Sequence, residues 1–506
     1  MKRALISVAD KTGLIELARD LADLGWGIVS SGSTAGAIRE AGLPVTSVSE
    51  VTGHPEILGG RVKTLHPKIH GGILADRRNP DHVRELEDLG IEPFDLVVCN
   101  LYPFREAVAS GASRDEIVEQ IDIGGPTLVR AAAKNFESVG VVISPARYAE
   151  ILEELRRDGE LSRETRHGLA VEAFRHIVEY DAAIASWFAR GDPADLPASL
   201  FVSLEKVSDL RYGENPHQRG GLYRFPGGAG PLHGAEVLQG KEMSFNNWLD
   251  AEAGLSLAAA LPAPAVVIVK HNNPCGVACG SSLELAYGKA FASDTISPFG
   301  GVVAVNEELD ESAAKAIADV FTEVVVAPSF SEGARRILGG KKNLRLVTAH
   351  VGPVTLPDVR LVPGGAVVQD HDAVTETRED MKVVSSREPG TEEWRDLVFA
   401  WTVAARVKSN AIVFAKDRAT VGVGAGQMSR VDSVEIAAKK AGERAVGAVM
   451  ASDAFFPFRD GIDAAAAVGI TAVIHPGGSV RDDEILQAVE EHGMAMVDTG
   501  RRHFRH

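Results

Sequence analysis

The stretch with the clearest chemical potential is VVIVKHNNPCG, residues 266–276, where an apolar run ends abruptly at Lys270 and His271. Val266 to Val269 have the composition of a buried strand, so both polar side chains are expected at a strand end, before a turn through residues 272–274. A histidine can move a proton near neutral pH, and a neighbouring ammonium can stabilise an oxyanion. The pair favours acyl or formyl transfer, although two solvated residues at a strand end explain it equally well.

Composition narrows the classes of protein. The chain has 506 residues, 45% hydrophobic and 24% charged, which predicts a globular protein of roughly two to four domains. A formal net charge of -17 argues against nucleic acid as a partner, so basic clusters must bind any anionic substrate. Three cysteines make no disulfide framework, the N-terminus lacks an apolar signal core, and no apolar run approaches the roughly 20 residues that cross a bilayer. We expect a cytoplasmic protein without membrane contact.

Two β-loop-α units open the chain, and their loops suit a phosphate. A strand at Leu5–Val8 precedes the loop 9–13 and a helix, and a strand at Gly27–Ser30 precedes the loop 31–34 and another helix. In a parallel sheet both loops emerge at one edge, where free helix N–H groups, hydroxyls and Lys11 would form a cradle. The spacing is neither a Walker loop nor a dinucleotide fingerprint, and a helix cap explains either loop alone.

A second basic cluster, GGRVKTLHP at residues 59–67, combines two cations, a hydroxyl and a histidine behind a flexible glycine pair. His66 and His70 are four residues apart and could bind a metal from one face of a helix. Pro67 and the pair Gly71-Gly72 argue against that helix, so no metal is expected here.

Further polar residues are expected at the same sheet edge. A strand at Asp95–Cys99 would deliver Asn100 and Tyr102, and residues 121–126 lead to a helix with Arg130 and Lys134 on one face. Cations, a phenol and a carboxylate from separate loops would then converge on one site.

The segments SVADKTG, SSGSTA, GGRVKTLHP, CNLYPF and IDIGGPTLVRAAAKN resemble, in order, the IMP cyclohydrolase domain of the bifunctional AICAR transformylase/IMP cyclohydrolase family of purine biosynthesis. The resemblance implies a methylglyoxal-synthase-like parallel α/β fold for residues 1–196. It also implies a phosphate site made of Lys11, Thr12, Ser31, Gly32, Ser33 and Thr34.

The same resemblance assigns the residues around the purine base. They are Arg61, Lys63, Thr64, Cys99, Asn100, Tyr102, Asp122, Ile123 and Lys134. Lys134 would donate or accept the proton, and Lys63, Tyr102 and Asp122 would also take part in catalysis. Ala9 and Ser33 depart from the family pattern, which has Ser and Gly there. The loss of the first hydroxyl removes one phosphate hydrogen bond, while the backbone N–H of residue 9 is expected to remain for the ligand.

The chain is expected to divide at a linker, residues 190–197, which contains two prolines and a glycine. Beyond it, residues 292–299 and 451–458 share the pattern A-S-D-x-x-x-P-F. A match this short can arise by chance, but at this chain length it favours a duplication. We expect a second domain, residues 197–506, made of two α/β lobes at about 197–355 and 356–506.

The segment PCGVAC, residues 274–279, nearly matches the P-C-x-x-C zinc motif of cytidine deaminases. The spacing is one residue too long, and the chain's only H-x-E, residues 54–56, lies in the first domain. Ligands at the wrong spacing would not close a tetrahedral site without distortion, so no zinc is expected.

The resemblance continues through RYGENPHQ, VKHNNPCG, SPFGG, VVVAPSF, VKSNAIVFAK, GVGAGQMSR, ASDAFFPFRD and the terminal RHFRH, which look like AICAR transformylase motifs. It implies a duplicated, zinc-free, cytidine-deaminase-like fold, a homodimer, and 10-formyltetrahydrofolate as cosubstrate without a metal. His271 would be the base, Lys270 would stabilise the oxyanion or protonate the leaving nitrogen, and Asn410 would hold the carboxamide. Nucleotide contacts would come from Arg211, Tyr212, Gly300, Arg430, Phe455 and Arg502, and folate contacts from Phe299 and Glu323.

Two other functions remain possible at this point. A nucleotide-binding regulator would explain the phosphate cradles but would leave Lys270 and His271 without a role, and a zinc-dependent deaminase would require metal. The C-terminal residues 501–506 could be a solvated basic tail. An expected strand at Met494–Val497 and the apolar Phe504 favour an anchored tail instead, with Arg502 on the AICAR phosphate.

Overall fold

Each half of the chain is built on its own β-sheet. The computed structural model describes residues 1–189, 195–225, 232–352 and 357–506. Contacts group these residues into two units, 1–203 and 204–506. Residues 190–194 of the predicted linker lie outside the described residues, and the boundary expected between 196 and 197 stays a prediction. No helix in the described ranges is both long and apolar enough to cross a membrane.

The first unit is a five-stranded parallel sheet in the order β3-β2-β1-β4-β5, with helices packed on it. Its strands are β1 Arg3–Ser7, β2 Gly27–Ser30, β3 Thr46–Ser47, β4 Leu96–Cys99 and β5 Gly140–Val142. Its helices are α1 Leu14–Asp23, α2 Gly32–Glu40, α3 Val48–Thr52, α4 Pro67–Leu74, α5 Pro80–Asp88, α6 Phe104–Ala109, α7 Arg114–Glu119, α8 Gly124–Lys134, α9 Tyr148–Asp158 and α10 Arg163–Phe188.

The two opening β-loop-α units are confirmed. β1 and β4 are almost wholly buried, as the apolar runs of a parallel sheet covered on both faces require. A helix does form at Pro67–Leu74, so the argument against one was wrong, but His66 is its extended N-cap residue and only His70 lies within it. Pro67 occupies the first helical turn, where proline is tolerated, and Gly72 lets α4 approach Phe94: an added Cβ would lie 3.1 Å from that ring.

The second unit contains a twelve-stranded sheet and two separate hairpins among the described residues. Its strands are β6 Glu205–Leu210, β7 Gly220–Arg224, β8 Glu236–Gln239, β9 Ala265–Lys270, β10 Asn273–Cys279, β11 Gly301–Val305, β12 Thr322–Ala327, β13 Arg345–Thr348, β14 Asp358–Val362, β15 Gly365–Gln369, β16 Lys382–Val383, β17 Ile412–Lys416, β18 Ala419–Gly424, β19 Val449–Ser452, β20 Ala472–His475 and β21 Ala495–Asp498. Its helices are α11 Phe245–Ala259, α12 Leu283–Ser293, α13 Glu311–Ala318, α14 Glu332–Gly339, α15 Thr391–Ala404, α16 Arg430–Ala441, α17 Asp460–Ala467 and α18 Asp482–Glu491.

The order of elements shows an internal duplication. The series α11-β9-β10-α12-β11-α13-β12-α14-β13 is repeated as α15-β17-β18-α16-β19-α17-β20-α18-β21. In the sheet the two series run outward from a central antiparallel pair, β10 and β18. The expected duplication is confirmed, but the A-S-D-x-x-x-P-F segments do not mark it. Residues 292–299 connect α12 to β11, whereas residues 451–458 run from the end of β19 towards α17.

The large sheet is covered on both faces. Buried residues of α11 and α15 share one core that crosses both lobes, while α12 to α14 and α16 to α18 form separate cores on the other face. Two central strands approach their helices very closely. A Cβ on Gly276 would lie 2.0 Å from the Ala290 carbonyl oxygen, and one on Gly424 would lie 1.9 Å from that of Ser433.

Two glycine-to-alanine substitutions in one lobe should have opposite effects on stability, because only one of the two glycines lies against a neighbouring backbone. Gly276→Ala should destabilise the protein by about 1–3 kcal/mol, because the strand and α12 would have to separate. Gly288→Ala, in α12 itself, should stabilise it by about 1 kcal/mol, because the added Cβ has open space among the described residues. Calorimetric unfolding of each full-length variant measures both effects. An unfolding temperature for Gly276→Ala at or above that of the parent chain would contradict the packing.

Candidate active sites

The carboxyl ends of β1, β2 and β4 open onto a cavity of about 630 Å³ in the first unit. Its walls are the loops that follow those strands, the segment around Gly59-Gly60, and the start of α8. The predicted residues that line it are Lys11, Ser31, Ser33, Thr34, Arg61, Lys63, Thr64, Asn100, Tyr102, Asp122 and Ile123. The sheet therefore brings most of the expected phosphate and base residues to one place.

Asn100 organises the first loop. Its Oδ1 accepts the backbone N–H groups of Ala9 at 2.6 Å and Asp10 at 3.0 Å, and its Nδ2 donates to the Asp10 carbonyl oxygen at 2.9 Å. The N–H of residue 9, expected to remain for a ligand, is therefore engaged by a side chain of the protein. Asn100 shapes the cradle through the backbone of its loop.

A carboxylate that the sequence analysis missed lies in the same cradle. Glu56 Oε1 accepts the Gly32 N–H at 2.9 Å, at the start of α2, and Glu56 Oε2 lies 3.9 Å from Lys63 Nζ. Arg61 is likewise paired with Glu119. Both cations are therefore paired with carboxylates, and Glu56 also occupies the N–H group of Gly32. The only local signal for Glu56 was its position just before the basic cluster of residues 59–67.

Asp122 and Tyr102 meet at the start of α8. The Asp122 carboxylate accepts the Gly125 N–H at 2.8 Å and is also hydrogen-bonded by the backbone of Tyr102 and Gly124. Burial nevertheless raises the pKa of Asp122 above its ordinary value, and burial together with Asp122 raises the pKa of Tyr102. Raised pKa values in a cleft are typical of groups that hold or transfer protons.

Four predicted residues do not line this cavity. Thr12 hydrogen-bonds Asp10, Gly32 donates to Glu56, and Cys99 is buried, which raises the pKa of its thiol. Lys134 is exposed at the far end of α8, an eleven-residue helix and thus about 15 Å along the axis from Gly124. Lys134 therefore does not converge with Asp122 in one chain, and its catalytic role stays a prediction.

In the second unit, Lys270 is the last residue of β9, and His271 is the first residue of the two-residue turn that connects β9 to β10. Lys270 pairs with Asn273, and His271 and Asn272 have φ values of 52° and 60°. The turn is therefore tighter than expected, because Asn273 and Pro274 already belong to β10. Since β9 runs antiparallel to β11, this end of β9 lies at the amino end of β11. Both residues thus lie at a strand end, as expected, and next to the start of β11.

Carbonyl oxygens hold the Lys270 side chain, and a carboxylate holds the backbone of the turn. Lys270 Nζ donates to the carbonyl oxygens of Phe299 at 2.9 Å and Gly300 at 2.8 Å. Asp250 Oδ1 on α11 accepts the Asn272 N–H at 2.7 Å, and burial raises the pKa of this carboxyl. Asp250 was not predicted, because a carboxylate on a distant helix gives no local sequence signal.

The second lobe contains the same arrangement of a two-residue turn, a helix aspartate and a lysine. Asp417 and Arg418 form a two-residue turn, both with φ of 52°, and Asp396 on α15 accepts their N–H groups at 2.8 and 2.7 Å. Lys416 takes the position of Lys270 and donates to the Val446 carbonyl oxygen at 2.9 Å. Asp417 stands where the first lobe has His271.

Lys270 and His271 line a cavity of about 230 Å³ together with residues of the other lobe, among them Val423, Ala425 and Lys440. Cys275 also lines it, and burial raises its pKa to about 12; burial raises the pKa of Cys279 to about 11. Within the described ranges, no group of three or more His, Cys, Asp or Glu side chains is placed to hold a metal ion.

The remaining predicted residues of the second unit differ in whether the protein itself already binds their side chains. Asn410 donates to the carbonyl oxygens of Gln427 and Met428 and accepts from Arg430, which is buried and paired with Asp453. In this structure Asn410 and Arg430 are therefore engaged by the protein itself. Glu323 is likewise bound, to Asn247 and Arg345, each at 3.2 Å.

The aromatic residues and the hairpin arginine are more open. Phe299 is 66% exposed and lies against Phe321 with ring centroids 5.0 Å apart, and Phe455 is 37% exposed. Arg211 lies over the Tyr212 ring in the β6–β7 hairpin region. These side chains are accessible to a ligand.

Family models match both halves of the chain. The model described as AICARFT/IMPCHase bienzyme matches residues 132–440, and that of the MGS-like domain matches residues 13–127. The chain belongs to the AICARFT/IMPCHase bienzyme family. It is 52% identical over 515 residues to the bifunctional purine biosynthesis protein PurH of Persephonella marina and 48% identical over 509 residues to those of Bacillus cereus and Bacillus anthracis. Each comparison covers 100% of both chains.

One solved structure, of ForH, is 37% identical and covers 37% of this chain and 97% of its own, with a TM-score of 0.33. The family assignment rests on the sequence relatives and the family models, and the MGS-like match agrees with the parallel sheet of the first unit.

The C-terminal segment contains Arg502, which the family resemblance assigns to the nucleotide. This segment is anchored, as the sequence indicated. His503 is buried, with Nδ1 2.8 Å from both Asp372 oxygens and Nε2 3.3 Å from Glu376. Its backbone N–H donates to the Asp453 carbonyl oxygen at 3.1 Å. Arg502 is exposed, with its guanidinium 4.7 Å from the centre of the Phe504 ring. The tail thus leaves Arg502 exposed at the surface, while Arg501, also exposed, pairs with Glu376.

The anchoring separates two changes at the C-terminus. Deleting residues 502–506 should destabilise the protein by about 2–4 kcal/mol, because it leaves Asp372 and Glu376 without His503. Arg502→Ala should change stability by less than about 0.5 kcal/mol, because the side chain is exposed. Thermal unfolding of both variants is the measurement. Equal unfolding temperatures for the deletion and the parent chain would show that the tail is not held as described.

Proposed function

We propose that this chain catalyses two successive reactions: formyl transfer from 10-formyltetrahydrofolate to the 5-amino group of AICAR, and dehydrative closure of formyl-AICAR to IMP. Membership of the bienzyme family at full-length coverage carries the proposal. Two separate cavities, one in each unit, support it because each contains groups suited to one of the reactions.

In formyl transfer, the amine nitrogen bonds to the formyl carbon and the bond from that carbon to the folate nitrogen breaks. The amine is conjugated with its ring and is a poor nucleophile, so its proton has to leave as it attacks. His271 accepts that proton. Two carbonyl oxygens engage Lys270 Nζ, and the third N–H of an ammonium can donate to the developing oxyanion or to the leaving nitrogen.

Substrate positions follow from the exposed groups of the second unit. Arg502, Arg211 and Tyr212 are available for the nucleotide, with Gly300 and Phe455 near the edge that carries Lys270. The exposed Phe299, backed by Phe321, offers an aromatic face to the folate, and Glu323 its carboxylate. Asn410 and Arg430 bind substrate only after they release their present hydrogen-bond partners within the protein.

In ring closure, the carboxamide nitrogen bonds to the formyl carbon and water leaves. Both reacting groups are in one molecule, so the protein has mainly to hold a near-attack geometry. Lys11, Ser31, Ser33 and the start of α2 bind the phosphate after Glu56 is displaced. Asp122 and Tyr102, with raised pKa values, and Lys63 move the protons.

Joining the two activities has a thermodynamic reason, since ring closure removes the product of an unfavourable formyl transfer. A regulator that only binds nucleotide would bind AICAR but would not form IMP, and an assay for IMP formation separates the two. We further propose a cytoplasmic homodimer. Light scattering tests the dimer, and three free thiols suit a reducing compartment.

Removal of the proposed base tests the site in the second unit. His271→Ala should lower formyl transfer by about 10²-fold to 10⁴-fold, the usual contribution of general base catalysis. Cyclisation of supplied formyl-AICAR should not change and serves as the internal control. A parallel fall in both rates would mean that the two activities do not have separate sites.

Replacing Lys63 tests the site in the first unit, where ring closure and not formyl transfer should be lost. Lys63→Ala should abolish ring closure while formyl transfer continues, because Lys63 lines the cavity, so formyl-AICAR should accumulate. Lys68→Ala removes a nearby charge that does not line this cavity and should leave both rates unchanged. Chromatography of the products is the readout. IMP as the main product of Lys63→Ala would refute the assignment.

A further inference from the structure

An ion pair joins the two lobes beside Lys270. Lys440, at the end of α16 in the second lobe, hydrogen-bonds the carboxylate of Asp294 in the first lobe. Asp294 is 9% exposed and also accepts the Ser297 hydroxyl at 2.6 Å and the N–H groups of Ile296 and Ser297 at 3.0 Å. Burial opposes ionisation, but these donors hold the pKa of Asp294 well below its usual range.

The loop that Asp294 orders leads directly to the groups that hold Lys270. Residues 294–297 are followed by Pro298 and then by Phe299 and Gly300, whose carbonyl oxygens accept from Lys270 Nζ. Ser297, Lys440 and Lys270 also line the same cavity. The contacts therefore run from Lys440 through Asp294 and the loop to the ammonium.

The aspartate of the second A-S-D segment also binds α16. Asp453 is fully buried, binds Arg430 at the start of α16, and accepts the Ser409 hydroxyl at 2.5 Å next to Asn410. Asp294 precedes β11 whereas Asp453 follows β19, so the two aspartates do not occupy equivalent positions in the two lobes. They bind opposite ends of α16, Asp453 at its start and Asp294 at its end.

We propose that Lys440 is a positioning residue for formyl transfer: through Asp294 it fixes the loop whose carbonyl oxygens hold the Lys270 ammonium. The inference rests on the proposed function and deepens it. Lys440 is not needed to hold the lobes together, because Arg444 binds the carbonyl oxygens of Ala292 and Ser293 and the central strands pair independently. Its removal should therefore disturb the geometry of the site more than the fold.

Four substitutions in the full chain test this role. Lys440→Gln and Asp294→Asn should each lower kcat for formyl transfer by about 10-fold to 10²-fold, the effect of misplacing a catalytic group by about 1 Å, with KM for AICAR within about twofold. Lys440→Arg should recover most of the rate. Lys439→Gln is the matched control, because it removes the same charge from the same helical turn, and it should leave the rate unchanged.

Two further readouts separate positioning from other effects. The double variant Lys440→Gln, Asp294→Asn should lose no more than either single variant, because both act through one contact. Ring closure in the first unit should not change in any variant. Labelling of Lys270 by acetic anhydride, followed by mass spectrometry of its peptide, should speed up about 2-fold to 10-fold in Lys440→Gln but not in Lys439→Gln.

Several outcomes would overturn the proposal. They are a kcat within twofold of the parent for Lys440→Gln, a loss in Lys440→Gln that Asp294→Asn does not share, or Lys270 labelling that Lys440→Gln leaves unchanged. A parent chain without formyl transfer would refute the proposed function instead, and the labelling experiment would still decide whether Lys440 holds the Lys270 environment.

Discussion

The antiparallel contact between β10 and β18 is the constraint on which the second unit depends. At the centre of the sheet, Thr420 Oγ1 accepts the Val277 N–H at 3.0 Å and donates to Ser293 Oγ at 2.9 Å, and the Cys279 N–H donates to the Arg418 carbonyl oxygen. Because the strands run in opposite directions, the start of β10 lies beside the end of β18. The Lys270–His271 turn of one lobe therefore shares a cavity with α16 of the other, and neither lobe alone forms that cavity.

Carboxylates pair with several cations at the two candidate sites, and this pairing bears on how an acidic protein would bind anionic substrates. Several cations expected to meet a ligand are already paired: Lys63 with Glu56, Arg61 with Glu119, and Arg430 with Asp453. Of these, Arg430 is buried, where an unpaired cation would be costly, whereas Arg61 is exposed and Lys63 is partly exposed. If an anionic substrate binds these cations as proposed, it exchanges with a carboxylate, and the free energy of binding is the difference between the two pairings.

Local pattern predicted those parts of the molecule that depend on local structure. The two opening β-loop-α units and the strand before Lys270 followed from periodicity and turn residues. The duplication was expected as well, although the repeated A-S-D-x-x-x-P-F motif lies at different places in the two lobes. The helix at Pro67 was missed because packing of Gly72 against Phe94 outweighed the low helix propensity of glycine. Asp250 and Glu56 act across long sequence separations, and the pairing of Asn410 with Arg430 depends on the tertiary fold. The distance of Lys134 from Asp122 follows only from the length of α8.

The repeated turn has a consequence for how such a site arises. Both lobes hold a lysine on backbone carbonyl oxygens and a left-handed two-residue turn under an aspartate of the preceding helix, yet only one turn carries a histidine. The backbone arrangement is thus common to both lobes and does not depend on a histidine in the turn. Because the helix aspartate binds the backbone N–H groups of the turn, the side chain that the turn displays can differ between the two copies.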